Sequence, residues 1–284
     1  MRKMIIVWIQ VLFLLSPILA QEKESLGNFV TRSEGYYQYI VTPSVKNFSC
    51  RLTTHFYINF MKSQSIEEKF NYPIKFVWTN EGRRYYVLEP LPELSDSLRR
   101  QALQYSQMIK NLFESIVLDL QKMSFRSPLY DIPLAASMSA SQDTVNIEYS
   151  FESNSSTVST IEKYTPSGQF FKFIWQFGTQ KVINYPKFET VKGKWICNGW
   201  ESQVYNDKNE IVSGVATRLI YNRNFESKAR YLPEKIDVIA QTVEDPAKGP
   251  QTNSVAIYLK GFTFNEDVTV LENETAKNSN PTSQ

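Results

Sequence analysis

Between Asn47 and Phe60 apolar and polar residues alternate with period two. Phe48, Cys50, Leu52, Phe56, Ile58 and Phe60 share one phase, and Asn47, Ser49, Arg51, Thr53, His55 and Asn59 share the other. Successive strand side chains point to opposite faces, so this pattern predicts one long strand with a dry side and a wet side. Tyr72 to Trp78 and Arg84 to Leu88 predict two more strands. They flank Asn80-Glu81-Gly82, whose glycine reaches the positive φ that tight hairpins need. After Pro90 and Pro92 the period lengthens: Leu98, Ala102, Tyr105, Ile109, Leu112, Ile116, Leu120 and Met123 recur at spacings of three and four. That stripe predicts a helix capped near Ser95 or Asp96 and ending near Met123, on the order of 40 Å long. A helix with one apolar stripe needs an apolar surface to lie against, and a one-sided sheet supplies it.

The second half reads as strands at Val145 to Phe151, Val158 to Tyr164, Phe170 to Phe177, Lys187 to Val191, Lys194 to Tyr205, Ile211 to Tyr221, Ile236 to Val243 and Ser254 to Phe264. Pro166-Ser167-Gly168, Lys192-Gly193, Asn206-Asp207-Lys208-Asn209 and Asp245-Pro246 mark the turns. Leu26, Phe29, Val30, Tyr37 and Ile40 suggest a short helix ahead of the first strand. The fold class expected is mainly β with α+β character: a curved antiparallel sheet, or half-barrel, covered by one long helix. One domain spans residues 21–266. Residues 267–284, polar and without an aromatic group from Glu272 onward, read as a disordered tail.

The N-terminus adds a location. Arg2 and Lys3, the apolar run Ile5 to Leu15 interrupted at Gln10, and then Ser16, Pro17 and Ala20 have the layout of a secretory signal, with cleavage expected before Gln21. The expectation is a periplasmic or secreted protein with no stable membrane anchor, and Gln21 is not the cysteine that lipid attachment requires. The chain carries 31 basic and 29 acidic residues, so losing Arg2 and Lys3 leaves it formally neutral, which argues against nucleic acid as the main partner.

Candidate chemistry is sparse. The single histidine, His55, sits in the polar phase of the first strand, and no His/Cys spacing suggests a zinc site. Cys50 and Cys197 leave two readings open: one disulfide closing a long loop, or two buried thiols. Phosphate-cradling glycine loops and a Gly-x-Ser-x-Gly elbow are absent from the sequence. No catalytic residue, metal or cofactor is assigned. Glu189 and Glu201 lie near tryptophans and keep a secreted polysaccharide hydrolase as an alternative. Asn47-Phe48-Ser49, Asn154-Ser155-Ser156 and Asn273-Glu274-Thr275 match the glycosylation sequon.

The feature above background is aromatic loading: 14% of residues, with Phe171, Phe173, Trp175 and Phe177 in one predicted strand. An apolar concave face with one helix for cover is where apolar ligands bind. The candidate ligand-binding set is Phe56, Phe76, Trp78, Ile109, Leu112, Ile116, Phe173, Trp175, Trp195 and Trp200.

Three stretches, Phe48-Ser49-Cys50-Arg51-Leu52, Tyr72-Pro73-Ile74-Lys75-Phe76-Val77-Trp78 and Tyr231-Leu232-Pro233-Glu234-Lys235-Ile236, resemble the periplasmic lipoprotein-carrier family of the LolA and LolB type. The resemblance implies an incomplete antiparallel barrel closed by helices, which shields the acyl chains of a lipid or lipoprotein and meets envelope proteins as partners. In that family an arginine commonly precedes the proline of the second strand and helps hold a lid shut; Tyr72 stands in that place here. The helix from Asp96 to Met123 also interrupts the region where a carrier continues its sheet. A distant lipid-binding relative is therefore expected rather than a lipoprotein shuttle, and a non-catalytic envelope protein whose aromatics form only a core is the other alternative.

Overall fold

The computed structural model of the chain describes residues 24–153, 156–221, 231–242 and 251–268. The expected signal and the tail beyond residue 268 lie outside them. Helix α1 (Leu26–Glu34) precedes β1 (Asn47–Thr54), α2 (His55–Ser63), β2 (Ile74–Thr79), β3 (Arg84–Leu88) and the long α3 (Asp96–Leu120), which runs on as a π turn over Gln121–Phe125. Then follow β4 (Ser137–Ala140), β5 (Val145–Ser153), β6 (Ser156–Tyr164), β7 (Phe170–Phe177), β8 (Gln180–Val191), β9 (Lys194–Tyr205), β10 (Ile211–Tyr221), β11 (Pro233–Thr242) and β12 (Gln251–Phe264).

These twelve strands form one open antiparallel sheet in the order β3-β2-β1-β12-β11-β10-β9-β8-β7-β6-β5-β4. It is a curved sheet with α3 over its inner face, as the hydrophobic pattern predicts. The chain meanders from β4 to β12, and β1 then pairs with β12, so the long helix spans the break between the two edge strands.

The first strand is shorter than its alternation suggests. It ends at Thr54, whose Oγ1 accepts from Tyr57 N (3.4 Å) and caps α2. Tyr57, Phe60 and Met61 recur at helical spacing and bury one face of α2, leaving Phe56 41% exposed on the other. A run this short and this rich in apolar residues can supply a face at either period, and the threonine cap decides between them. His55 is thus the first residue of a helix, where its Nδ1 accepts from Ala256 N (3.3 Å).

α3 buries Ala102, Ile109, Phe113, Ile116, Val117 and Leu120 against the sheet. Its start uses the Ser95 carbonyl, which accepts from Arg99 N (2.8 Å), with no side-chain cap from Ser95. Phe76 packs edge-on to Phe113 with centroids 4.8 Å apart, and Phe48 meets Phe125 at 5.0 Å. Beyond the helix, Lys122 of the π turn donates to Glu162 (2.7 Å), which also accepts from the Tyr149 and Tyr164 hydroxyls (2.5 Å each). Glu162 is completely buried, so these three donors replace the water it has lost and pin the helix end to β6.

Two sequence alternatives are decided. Cys50 and Cys197 are buried free thiols rather than a disulfide. They sit on β1 and β9, four strand spacings apart, about 19 Å along the sheet, whereas a disulfide needs Cα atoms within ~7 Å. Burial pushes both thiols up, Cys197 to about 12. The Asn47 sequon is closed to modification in the folded chain: Asn47 is 6% exposed, donates to the Glu266 carbonyl (2.8 Å) and accepts from Glu266 N (3.0 Å).

Candidate functional site

β10 and β11 stay paired from Ser213↔Thr242 to Tyr221↔Pro233. Their outer neighbours leave earlier: the β9–β10 ladder ends at Gly199↔Arg218, and the β11–β12 ladder begins at Lys235↔Tyr258. The end of the β10–β11 pair that carries Tyr221 and Pro233 therefore stands apart from the sheet on both sides.

Local sequence explains both partings. Pro233 opens β11 without an N–H, so it has none to offer β12. On β12, Gly261 takes φ +67° where the β1–β12 register shifts, which is the glycine-led geometry of a bulge. On β9, Gly199 at φ +145° lets the Thr217 carbonyl approach to where a side chain would begin. Past it, the N-terminal segment takes over the vacated edge of β9: Trp195 N donates to Tyr36 O (2.7 Å) and Gln38 N to Trp195 O (2.9 Å).

Each parting opens a groove. The one between β9 and β10 encloses about 450 Å³ and is lined by Lys187, Glu189, Asn198, Trp200, Arg218 and Tyr221 among others. The one between β11 and β12 encloses about 570 Å³. Its floor is Leu232, Leu259 and Phe262, its wall Ile220 and Pro233, and its rim Tyr72, Tyr258, Glu234, Lys235 and Lys260. Leu232 and Leu259 are buried and Phe262 half-buried. Lys235 is held by Asp237 (2.8 Å), and the Lys260 ammonium lies 5.8 Å from the centre of the Tyr72 ring. Burial raises the Tyr72 phenol pKa, and the neighbouring Tyr258 phenol adds to the shift, so Tyr72 is a neutral O–H donor. A concave apolar floor with a few polar groups at its edge is the usual form of a small-molecule site, and 570 Å³ falls within the ~300–1,000 Å³ such sites span. A further hollow of about 550 Å³ lies over the proline-rich turn from Leu88 to Leu94.

The ten residues singled out from the sequence go elsewhere. Phe76, Trp78, Ile109, Ile116, Phe173 and Trp200 are buried in the core between α3 and the sheet, where their rings and branches pack on one another. Leu112, Trp175 and Trp195 are half-buried, Trp195 against the rings of Tyr36 and Tyr37. Phe56 leaves the sheet with α2. Of the ten, Trp200 lines a groove, the one between β9 and β10. Glu201 is ion-paired with Lys187, and Glu189 lines that same groove.

The β11–β12 groove escapes an aromatic count because its floor is mostly leucine. The signals for it are Pro233 at the start of a strand and Gly261 inside one. Its lining comes from Tyr72, ahead of β2, and from Leu232 to Lys235 at the start of β11. Among the described residues no three His, Cys, Asp or Glu side chains cluster to hold a metal ion, and no helix is long and apolar enough to cross a membrane. No family model matches the chain, and no curated protein or solved structure matches it either.

Proposed function

We propose that this protein binds the acyl chain of a lipid or lipoprotein, without chemistry, in the groove between β11 and β12, and does so outside the cytoplasm as the N-terminal signal suggests. The observation that carries the reading is the apolar floor of Leu232, Leu259 and Phe262 under a polar rim, in a groove of about 570 Å³. Each methylene moved from water onto such a floor contributes about 0.8 kcal/mol, so ten contribute about 8 kcal/mol, near the free energy of micromolar binding before ordering costs. The resemblance of the lining stretches to lipoprotein carriers supports the same class of ligand.

Titration with the fluorescent fatty acid cis-parinaric acid tests it. The full chain is expected to bind the probe, and Ile220→Trp, which fills the wall of the groove, to weaken binding ten-fold or more while the melting temperature holds. Probe binding that is indifferent to Ile220→Trp moves the site away from this groove, and no binding at all contradicts the reading.

A further inference from the structure

We infer that the ligand of this groove is an anionic amphiphile, an acyl chain ending in a carboxylate or phosphate, whose head is met by Lys260; the inference rests on the groove being an acyl-chain site. Arg51 and Lys260 stand directly opposite each other in the β1–β12 register. Like charges in that relation disfavour strand pairing, so an anion beside them is favoured.

One carboxylate is present, and it serves Arg51: Glu89 accepts from Arg51 Nε at 2.9 Å. Nearby cations are matched in the same way, Lys75 with Glu266 (2.9 Å) and Lys235 with Asp237 (2.8 Å). Lys260 is exposed and forms no ion pair among the described residues; its contact is the face of Tyr72. Glu234 also reaches the rim, but it is exposed and sits one residue from Lys235, out of phase with it along β11.

The unmatched ammonium thus lies at the mouth of an apolar groove. The Arg51 guanidinium adds to the field from the same side, reaching within 3.7 Å of where a side chain on Gly261 would start. Tyr72 and Tyr258 offer hydroxyls at the same rim. A chain laid on Leu232, Leu259 and Phe262 puts its polar end there. A neutral head would leave Lys260 as it is, whereas an anionic one supplies the counter-charge that Lys260 itself lacks among the described residues.

Paired titrations of the full chain with cis-parinaric acid and its uncharged methyl ester separate this inference from the reading beneath it. The acid is expected to bind at least ten-fold tighter than the ester. Lys260→Met, an exposed substitution whose fold is checked by melting temperature, is expected to bring the acid down to the ester's affinity and to leave the ester unchanged. Displacement of the acid by lysophosphatidate at lower concentration than by oleate assigns a phosphate head, and the reverse order assigns a carboxylate. Equal affinity for acid and ester in the wild-type chain, or equal loss of both in Lys260→Met, overturns the anionic head while leaving the acyl-chain site intact. Failure of both probes to bind overturns the site itself.

Discussion

Asp119 lies near the end of α3, ahead of the π turn, and it accepts a hydrogen bond from Trp200. Burial pushes its carboxyl up to about 7, and the Trp200 bond offsets part of that. In the unfolded chain an aspartate ionises near ~3.9. Between ~4 and ~7 the folded chain therefore holds more protons than the unfolded one, and stability falls as pH rises through that window, by at most ~1.4 kcal/mol per unit. Asp119→Asn keeps an acceptor for Trp200 and removes the titration. Urea denaturation is expected to show the variant gaining on the wild type steadily from pH 4 to pH 7 and by a constant amount above it; a pH-independent difference contradicts this. Residue-scale detail of this kind is the least legible in sequence. Nothing local distinguishes Asp119 from other acids, because its environment comes from β9, some eighty positions away. The Cys50 and Cys197 thiols were open for the same reason: their separation is a property of strand order. Asn47 reads as a sequon until its amide is seen closing on Glu266.

Periodicity works well for elements long enough to show it. The stripe from Leu98 to Met123 gave α3 nearly to the residue, since only one face of a long helix fits this apolar spacing, while the π continuation to Phe125, where Lys122 meets Glu162, has no periodic signal of its own. The hairpin around Gly82 and most later strands follow their alternation. Short or interrupted elements do not. α2 was hidden inside a strand-like phase, β4 has a single large apolar residue, Met138, and β8 starts at Gln180 rather than Lys187 because Pro186 masks its first half. Pro186 is tolerated because the β7–β8 ladder has already stopped at Phe173↔Asn184. The partings around β10 and β11 depend on glycines, which makes them testable. Gly199→Ala would place a Cβ 2.1 Å from the Thr217 carbonyl at φ +145°, so it is expected to cost about 2–3 kcal/mol in chemical denaturation. Gly214, on β10 with 3.7 Å of room and no positive φ, is expected to accept alanine without loss. Similar costs at both positions would mean that the β9–β10 parting does not depend on Gly199.

At the scale of the whole molecule, the aromatic wealth that suggests a binding cavity is spent on filling the trough between α3 and the sheet. A broad open sheet needs bulky side chains to fill the space beneath the helix, and Phe48, Phe76, Trp78, Phe173 and Trp200, all buried, do so together with Phe113 of α3. The architecture was therefore legible while the β11–β12 groove was not, because composition reports how much apolar surface exists and not which part of it stays uncovered. Uncovered surface arises where strands part, and here that happens on both sides of the β10–β11 pair. The central claim is thus one of place, and photolabelling measures place. A fatty acid carrying a diazirine near its terminal methyl, bound to the full chain and activated, is expected to label residues 232–235 and 258–262, with labelling suppressed by excess oleate. Label concentrated instead on the inner face, at Phe151, Trp175 and Phe177, would contradict the account and return the ligand to the space between helix and sheet.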